Sequence, residues 1–288
     1  MFIKREEHGR MFASALDVDF QHELFSLMFD GKLYHAPLNE VHRALDVGCG
    51  TGMWAIDFDY GSSFWSFQAD QHPECQVYGV DVAHIQPSFV PPNASFFIED
   101  VESEWKYASG FDYIHCRFMT GSIHDWDKLF AQLYKHTNNR GHVEIVDIIN
   151  PMTADDDSLR GTKALEWSNH LRDQFSAVGC PMNSALQYKA KLLESGFVNV
   201  EEHYYKWPIG RWPRDPKMKQ LGIWSLSNTL NVLVGLSLRI FTRSVEEGGL
   251  GWLKEELDVY LACVRKDLMN PQVHAYWNIR VVYAEKKL

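Results

Sequence analysis

Cysteine is scarce in this chain and shows no pairing pattern. Cys49, Cys75, Cys116, Cys180 and Cys263 are odd in number and scattered, with no Cys-x-x-Cys pair and no His-Glu-x-x-His. That spacing argues against a disulfide framework and against a structural zinc site, and it predicts reduced thiols inside a cell. Basic charge is also short: 28 Lys+Arg stand against 38 Asp+Glu, a formal charge of −10. Phosphate binding needs a basic face, so no nucleic-acid partner is expected. No apolar run opens the chain; Met1 to Arg10 carries Lys4, Arg5, Glu6, Glu7 and Arg10. A secretory signal is therefore not expected, and the expected location is cytoplasmic, with the nucleus left open. The longest uncharged stretch of note, Gln220 to Leu238, contains Gln220, Ser225, Ser227, Asn228, Thr229, Asn231 and Ser237. An unaided membrane span needs about 20 mostly apolar residues, so this stretch predicts a buried or cavity-lining helix and no membrane span.

What is present is material for a large core, since 45% of the 288 residues are hydrophobic. No repeat, proline-rich linker or low-complexity tract divides the chain. Its first half alternates short apolar runs with helix-like stretches, the pattern of βαβ units in a parallel sheet. Strands are predicted at Ala44 to Val47, Gln76 to Asp81, Ala94 to Ile98, Phe111 to Cys116 and His142 to Ile149. Helices are predicted from Met53 and over Asp125 to His136, where Trp126, Leu129, Phe130 and Leu133 recur at helical spacing. In the second half Ser158 to Val178 reads as a helix preceded by Asp155, Asp156 and Asp157, three carboxylates that suit either an N-cap or a metal. Ser184 with Gln187 reads as a capping box for a helix to Ser195. Phe197 to Tyr205 and His274 to Ala284 read as strands around a helical block, Lys217 to Lys266. The sheet then spans both halves.

The strongest local signal is Ala44-Leu45-Asp46-Val47-Gly48-Cys49-Gly50-Thr51-Gly52. A strand ends, the backbone turns on glycines and a helix begins, which lets main-chain amides approach a ligand closely. The spacing is G-x-G-x-G. A dinucleotide fingerprint would need a third glycine where Met53 stands, and the Gly-Lys-Ser/Thr of a P-loop is missing. Asp81 closes the second strand, where an acid can accept bonds from both hydroxyls of a ribose. Asp100 follows the third strand and can meet an exocyclic adenine amine, with the amide of Val101 beside it.

In these residues the sequence resembles the class I S-adenosylmethionine-dependent methyltransferases, and more closely their fungal LaeA-like branch associated with secondary metabolism. The resemblance runs from about Asp19 to Leu288. It is carried by Gln21-His22-Glu23-Leu24, Asp30 to Tyr34, Leu45 to Asp57, Ile85-Gln86-Pro87, Val90 to Asn93 and Glu104-Trp105. It continues through Phe111 to Arg117, Gly121-Ser122-Ile123, Asp125-Trp126, Pro208-Ile209-Gly210 and Trp212-Pro213. It implies a Rossmann-like α/β fold with a seven-stranded sheet, its last strand antiparallel, flanked by helices. Residues 1–43 would form a helical cap and 44–288 the catalytic domain, with a helical lid insertion at about 207–268. The implied cofactor is S-adenosyl-L-methionine. Tyr34, Asp46, Gly48, Cys49, Gly50, Gly52, Asp81, Val82, Asp100, Val101 and Cys116 would surround it. Phe58 to Gln68 looks like an insertion within the family's first helix, able to distort cofactor entry.

Methyl transfer from a sulfonium rests largely on proximity and orientation, and a general base is needed only when the acceptor must lose a proton. His22, His115 and Arg117 are the candidate catalytic residues, each with an alternative structural role. Trp207, Trp212, Trp224 and Trp252 would roof the site with an aromatic lid, unless they are ordinary core. The expected partner is a small-molecule methyl acceptor of fungal secondary metabolism. The alternative is a regulator of metabolite gene expression acting through protein partners, with methyl transfer secondary or absent.

Overall fold

The computed structural model describes residues 6–7, 10–11, 15–60 and 74–288. A two-rung antiparallel ladder joins Glu6–Glu7 to Arg10–Met11, and helix α1 (Ala15–Met28) follows. The seven strands of the main sheet are β1 (Arg43–Val47), β2 (Gln76–Asp81), β3 (Ala94–Ile98), β4 (Phe111–Arg117), β5 (Thr137–Thr153), β6 (Val198–Pro208) and β7 (Tyr276–Glu285). They lie in the order β3-β2-β1-β4-β5-β7-β6. β1 to β5 are parallel, and β7 runs antiparallel between β5 and β6. Order reverses between β1 and β4, and in open parallel sheets a ligand crevice forms at that switch point, outside the carboxyl ends of the strands.

The elements follow from local chemistry. β1, β4 and β5 carry Leu45, Val47, Ile114, Val143 and Ile145, all fully buried, as strands covered on both faces require. Helix α2 (Met53–Tyr60) starts directly from the glycine turn. Helix α3 (Trp126–His136) begins where the Asp125 carboxylate accepts from the Lys128 amide, satisfying a donor that the helix leaves open. Helix α4 (Lys163–Ala177) is capped by Thr162, and a short helix α5 (Tyr188–Glu194) follows. Helix α6 (Pro216–Thr242) has proline in its first turn and Asp215 as cap, and helix α7 (Lys254–Met269) completes the block before β7.

Three local expectations change. The helix expected from Ser158 begins only at Lys163, because Asp156 caps a short 3-10 turn, Asp157–Leu159, instead. Asp155 bonds to Lys206 and Tyr276, and Asp156 to His274; no metal-binding group of three is found among the described residues. The Ser184 capping box does not form: Ser184 Oγ donates to the Pro181 carbonyl, and a 3-10 turn, Ser184–Gln187, precedes α5.

Helix α6 is long and apolar enough, by composition, to cross a membrane. Here it packs against the rest of the fold, with Leu221, Ser225, Asn228, Thr229, Leu233, Ser237 and Phe241 buried. Ser237 Oγ accepts from Trp167 Nε1 and donates to the Leu233 carbonyl, so this hydroxyl is used inside the protein.

Candidate active site

The glycine turn after β1 is held from below and from the side. The amides of Gly48 and Cys49 both donate to the Val80 carbonyl, at 2.9 and 3.0 Å. The Gly50 amide donates to Asp81 Oδ2 at 2.9 Å, while Asp81 Oδ1 accepts from the Ala83 amide at 2.9 Å. Gln86 donates to the carbonyls of Gly50 and Ala83. Gly48 and Gly50 have φ of +70° and +56°, a region costly for residues with a Cβ. A Cβ on Gly48 would lie 2.1 Å from Met119 Sδ, and one on Gly50 would lie 2.8 Å from Val18 Cγ1 of α1. Helix α1 and the turn after β4 therefore close directly onto the glycines.

Asp81 sits half-buried at the end of β2, and burial pushes its carboxyl up from the usual range against the pull of the Ala83, Gly50 and Val82 amides. Val82 follows it. Asp100 and Val101 follow the adjacent strand, where the Glu99 amide donates to the Asp81 carbonyl. Asp100 Oδ1 accepts from the Glu102 amide, and the Val101 carbonyl from Trp105 Nε1. The ribose and adenine candidates thus do stand side by side on neighbouring strand ends. Burial, with Asp46 and Asp81 nearby, pushes the Cys49 thiol well up, which favours its neutral form.

At the switch point a small cleft, partly open to solvent, is lined by Val18, Gln21, His22 and Phe25 of α1, by Asp46, Gly48 and Cys49, by Trp54 of α2, and by His115, Arg117 and Phe118. Asp46 and His115 are register partners on β1 and β4, so their side chains share a face. His115 Nδ1 lies 2.8 Å from Asp46 Oδ1, and a carboxylate there fixes the ring proton on Nδ1. Trp54 stacks on the ring at 3.8 Å between centroids. Burial lowers the His115 pKa, with Asp46 opposing. Nε2 is left buried and without a partner among the described residues, a state that costs about 1–3 kcal/mol.

His22 is used differently. Its Nδ1 accepts from Arg117 at 2.9 Å and its Nε2 donates to Asp57 Oδ2 at 2.9 Å. Both ring nitrogens are thereby committed, so His22 orients Arg117 and has no lone pair left to take a proton. Arg117 also lies over the Phe25 ring, 4.9 Å from its centroid. Burial lowers its pKa to about 10, and it remains a cation at neutral pH.

Other expected residues fall elsewhere. Tyr34 packs on Phe58 and Tyr113, at 5.7 and 6.0 Å, and is not among the cleft lining. Cys116 points to the opposite face of the sheet, buried with Val47, Leu129 and Ile145, because successive strand residues alternate. Of the tryptophans, Trp207 meets Phe25 at 4.8 Å and Trp224 meets Phe20 at 6.1 Å, so both back α1. Trp212 donates to the Ala275 carbonyl, and Trp252 packs on Phe241 and Tyr260; neither reaches the cleft. Phe58, where the insertion was expected to start, is a buried part of α2 stacked on Trp54, and residues 61–68 lie outside the described residues. The sequence reading missed Val18, Phe25, Trp54, Asp57 and Phe118. Trp54 and Asp57 belong to the Leu45 to Asp57 run and follow the glycine turn at helical spacing, a usable signal. Phe118, with φ of +61°, had none.

The glycine turn with Gly48 and Cys49 facing the cleft, and the acids Asp81 and Asp100 at neighbouring strand ends outside its lining, fit a nucleoside-bearing cofactor laid along the carboxyl ends of the strands. Comparison with known proteins agrees. Residues 20–202 match the family described as methyltransferase domain. Methyltransferase pytC of Aspergillus terreus is 32% identical over 272 residues, covering 93% of this chain and 79% of that protein. The secondary metabolism regulator LAE1 of Cochliobolus heterostrophus is 31% identical over 278 residues, covering 93% and 86%. Among solved structures, the Bacillus subtilis YcgJ protein aligns with a TM-score of 0.50 at 19% identity, covering 93% of this chain and 99% of that one, a likeness of fold. The chain belongs to the methyltransferase-domain family and is an S-adenosylmethionine-dependent methyltransferase.

Proposed function

We propose that this methyltransferase acts on a small molecule of fungal secondary metabolism. The observation that carries the reading is the cleft itself. Phe25, Trp54 and Phe118 wall it, α1 covers it and Arg117 sits inside it, a lining that suits a compact, partly apolar acceptor. Similarity to pytC, a fungal methyltransferase by name, points the same way. S-adenosylmethionine would lie over Gly48, Gly50 and Gly52, with its ribose at Asp81 and its adenine at Asp100 and Val101. When bound, it supplies an electrophilic methyl carbon. The protein's part is to orient the acceptor, exclude water and accept a proton.

Calorimetric titration with S-adenosylmethionine and S-adenosylhomocysteine tests the first half. Incubation with labelled S-adenosylmethionine and fungal metabolite extracts tests the second. Cofactor binding with no labelled small product from any extract counts against the acceptor class.

Similarity to LAE1, named a secondary metabolism regulator, favours a second reading, in which protein partners carry the role. Affinity capture that returns stable partners, with function surviving Asp81→Ala, supports that reading. We propose a cytoplasmic location for the enzyme and a nuclear one for the regulator; a fluorescent fusion separates them.

A further inference from the structure

Four side chains of the cleft, Asp46, His115, Arg117 and His22, are arranged for more than cofactor binding. His115 is locked with its proton toward Asp46 and presents a lone pair on Nε2 that nothing uses among the described residues. Arg117 lies two residues along the same strand, on the same face, roughly 7 Å away at the backbone. Its only side-chain hydrogen bond among the described residues goes to His22, which Asp57 holds from the other side. The cleft thus offers one proton acceptor and one oriented cation.

Resting on the methyltransferase reading above, we infer that the acceptor bears an ionisable hydroxyl, a phenol or an enol, whose proton passes to His115 while Arg117 holds the oxygen. Other acceptors suit the pair poorly. An amine would arrive as an ammonium and be repelled by Arg117. A carboxylate would arrive already deprotonated and leave the orphaned Nε2 without a task. A hydroxyl uses both groups. Its proton goes to Nε2, and its oxygen forms the new bond to the methyl carbon. The bond from that carbon to sulfur breaks, and its electron pair stays on sulfur. The proton moves within the cleft, so net charge there does not change while the oxyanion forms. The imidazolium faces Asp46 and the oxyanion faces Arg117, each stabilised by an opposite charge. Asp46 is a positioning residue: it sets the tautomer, and His22 with Asp57 does the same for the orientation of Arg117.

Two measurements test this. In protein labelled with 15N-histidine, NMR at neutral pH should show His115 neutral with its proton on Nδ1. Asp46→Asn should move the proton to Nε2, because the amide then donates to Nδ1; a purely structural Asp46 would leave the tautomer unchanged. A wild-type ring protonated on Nε2 overturns the proposal. The second probe is 4-nitrophenol, added to protein saturated with S-adenosylhomocysteine. The phenolate absorption band should grow on binding at a pH where the free phenol is mostly neutral. His115→Gln and Arg117→Met should each weaken that binding by about tenfold or more, measured on folded protein that still binds S-adenosylhomocysteine, and His115→Gln should also abolish growth of the phenolate band. If S-adenosylhomocysteine itself fails to bind, the methyltransferase reading fails. If it binds but 4-nitrophenol binds only in its neutral form or not at all, the acceptor proposal alone is overturned.

Discussion

The two faces of the same sheet are built to opposite rules. Toward α3 and α5, register partners Leu45, Ile114, Val143 and Ala284 form one row and Val47, Cys116, Ile145 and Val282 another, all fully buried and apolar. Between these rows, on the other face, the partners are Asp46, His115, Glu144 and Tyr283, and Asp46, His115 and Glu144 are buried too. Burying such groups is costly unless each is satisfied. Most are: Glu144 accepts from the amides of His35 and Ala36, both at 2.7 Å. Glu144 Oε1, His115 Nε2 and Tyr113 Oη are not, among the described residues. One face supplies stability; the other keeps an unsatisfied group where the chemistry takes place.

Substitutions on each face should separate these roles. The largest expected effect is Ile145→Ala in the apolar row, which should cost about 2–5 kcal/mol in chemical denaturation while the folded fraction still binds S-adenosylhomocysteine. If binding falls more than stability, the division is wrong. Asp81→Ala should do the reverse, weakening S-adenosylhomocysteine by roughly tenfold to a hundredfold in calorimetry through loss of a charged acceptor. Its melting temperature should drop less than that of Ile145→Ala. Gly48→Ala should show a smaller mixed effect. Left-handed strain of about 1–2 kcal/mol and displacement of Met119 would lower both the melting point and the affinity.

The smallest expected effect lies on the apolar side, where one polar group intrudes. Asp147 is fully buried, and its Oδ2 accepts from the amides of Met119 and Thr120, at 3.1 and 2.9 Å, and from Tyr188 Oη at 2.8 Å. It thereby fixes the turn that carries Phe118 and Met119 into the site. Burial raises its pKa from 3.8 to about 7. A folded-state pKa above the unfolded one means that the protonated form favours folding. Its stabilisation is full below about pH 4 and is lost as pH rises through about 7. Melting temperatures across that window should slope downward in the wild type and flatten in Asp147→Asn. An unchanged slope removes Asp147 as the cause.

Much of this arrangement was legible along the chain. The runs Gln76 to Asp81 and Ala94 to Ile98 match the observed strands end for end, because apolar β-branched and aromatic residues bounded by turns have few other uses. The glycine turn and the acid at the end of β2 were legible because a tight strand-to-helix turn demands G-x-G-x-G locally. Cys116 was misplaced beside the cofactor because proximity in sequence to His115 says nothing without the alternation of the strand. Tyr34 falls outside the cleft lining for a related reason, and none of the four tryptophans lines it, in keeping with the core role the sequence also allowed. Aromatic residues serve a core as readily as a lid, and only packing tells which.

The sequence by itself determined the order of strands and helices, the glycine turn and the acidic residues at the strand ends, all set by periodicity and backbone constraints within a few residues. Only the tertiary structure decided that His115 faces Asp46 with Nε2 unused, that His22 is consumed by Arg117 and Asp57, and that α1 closes over the glycines. Those pairings join residues 35 to 95 positions apart, and hydrogen-bond partners at such separations are chosen by the fold.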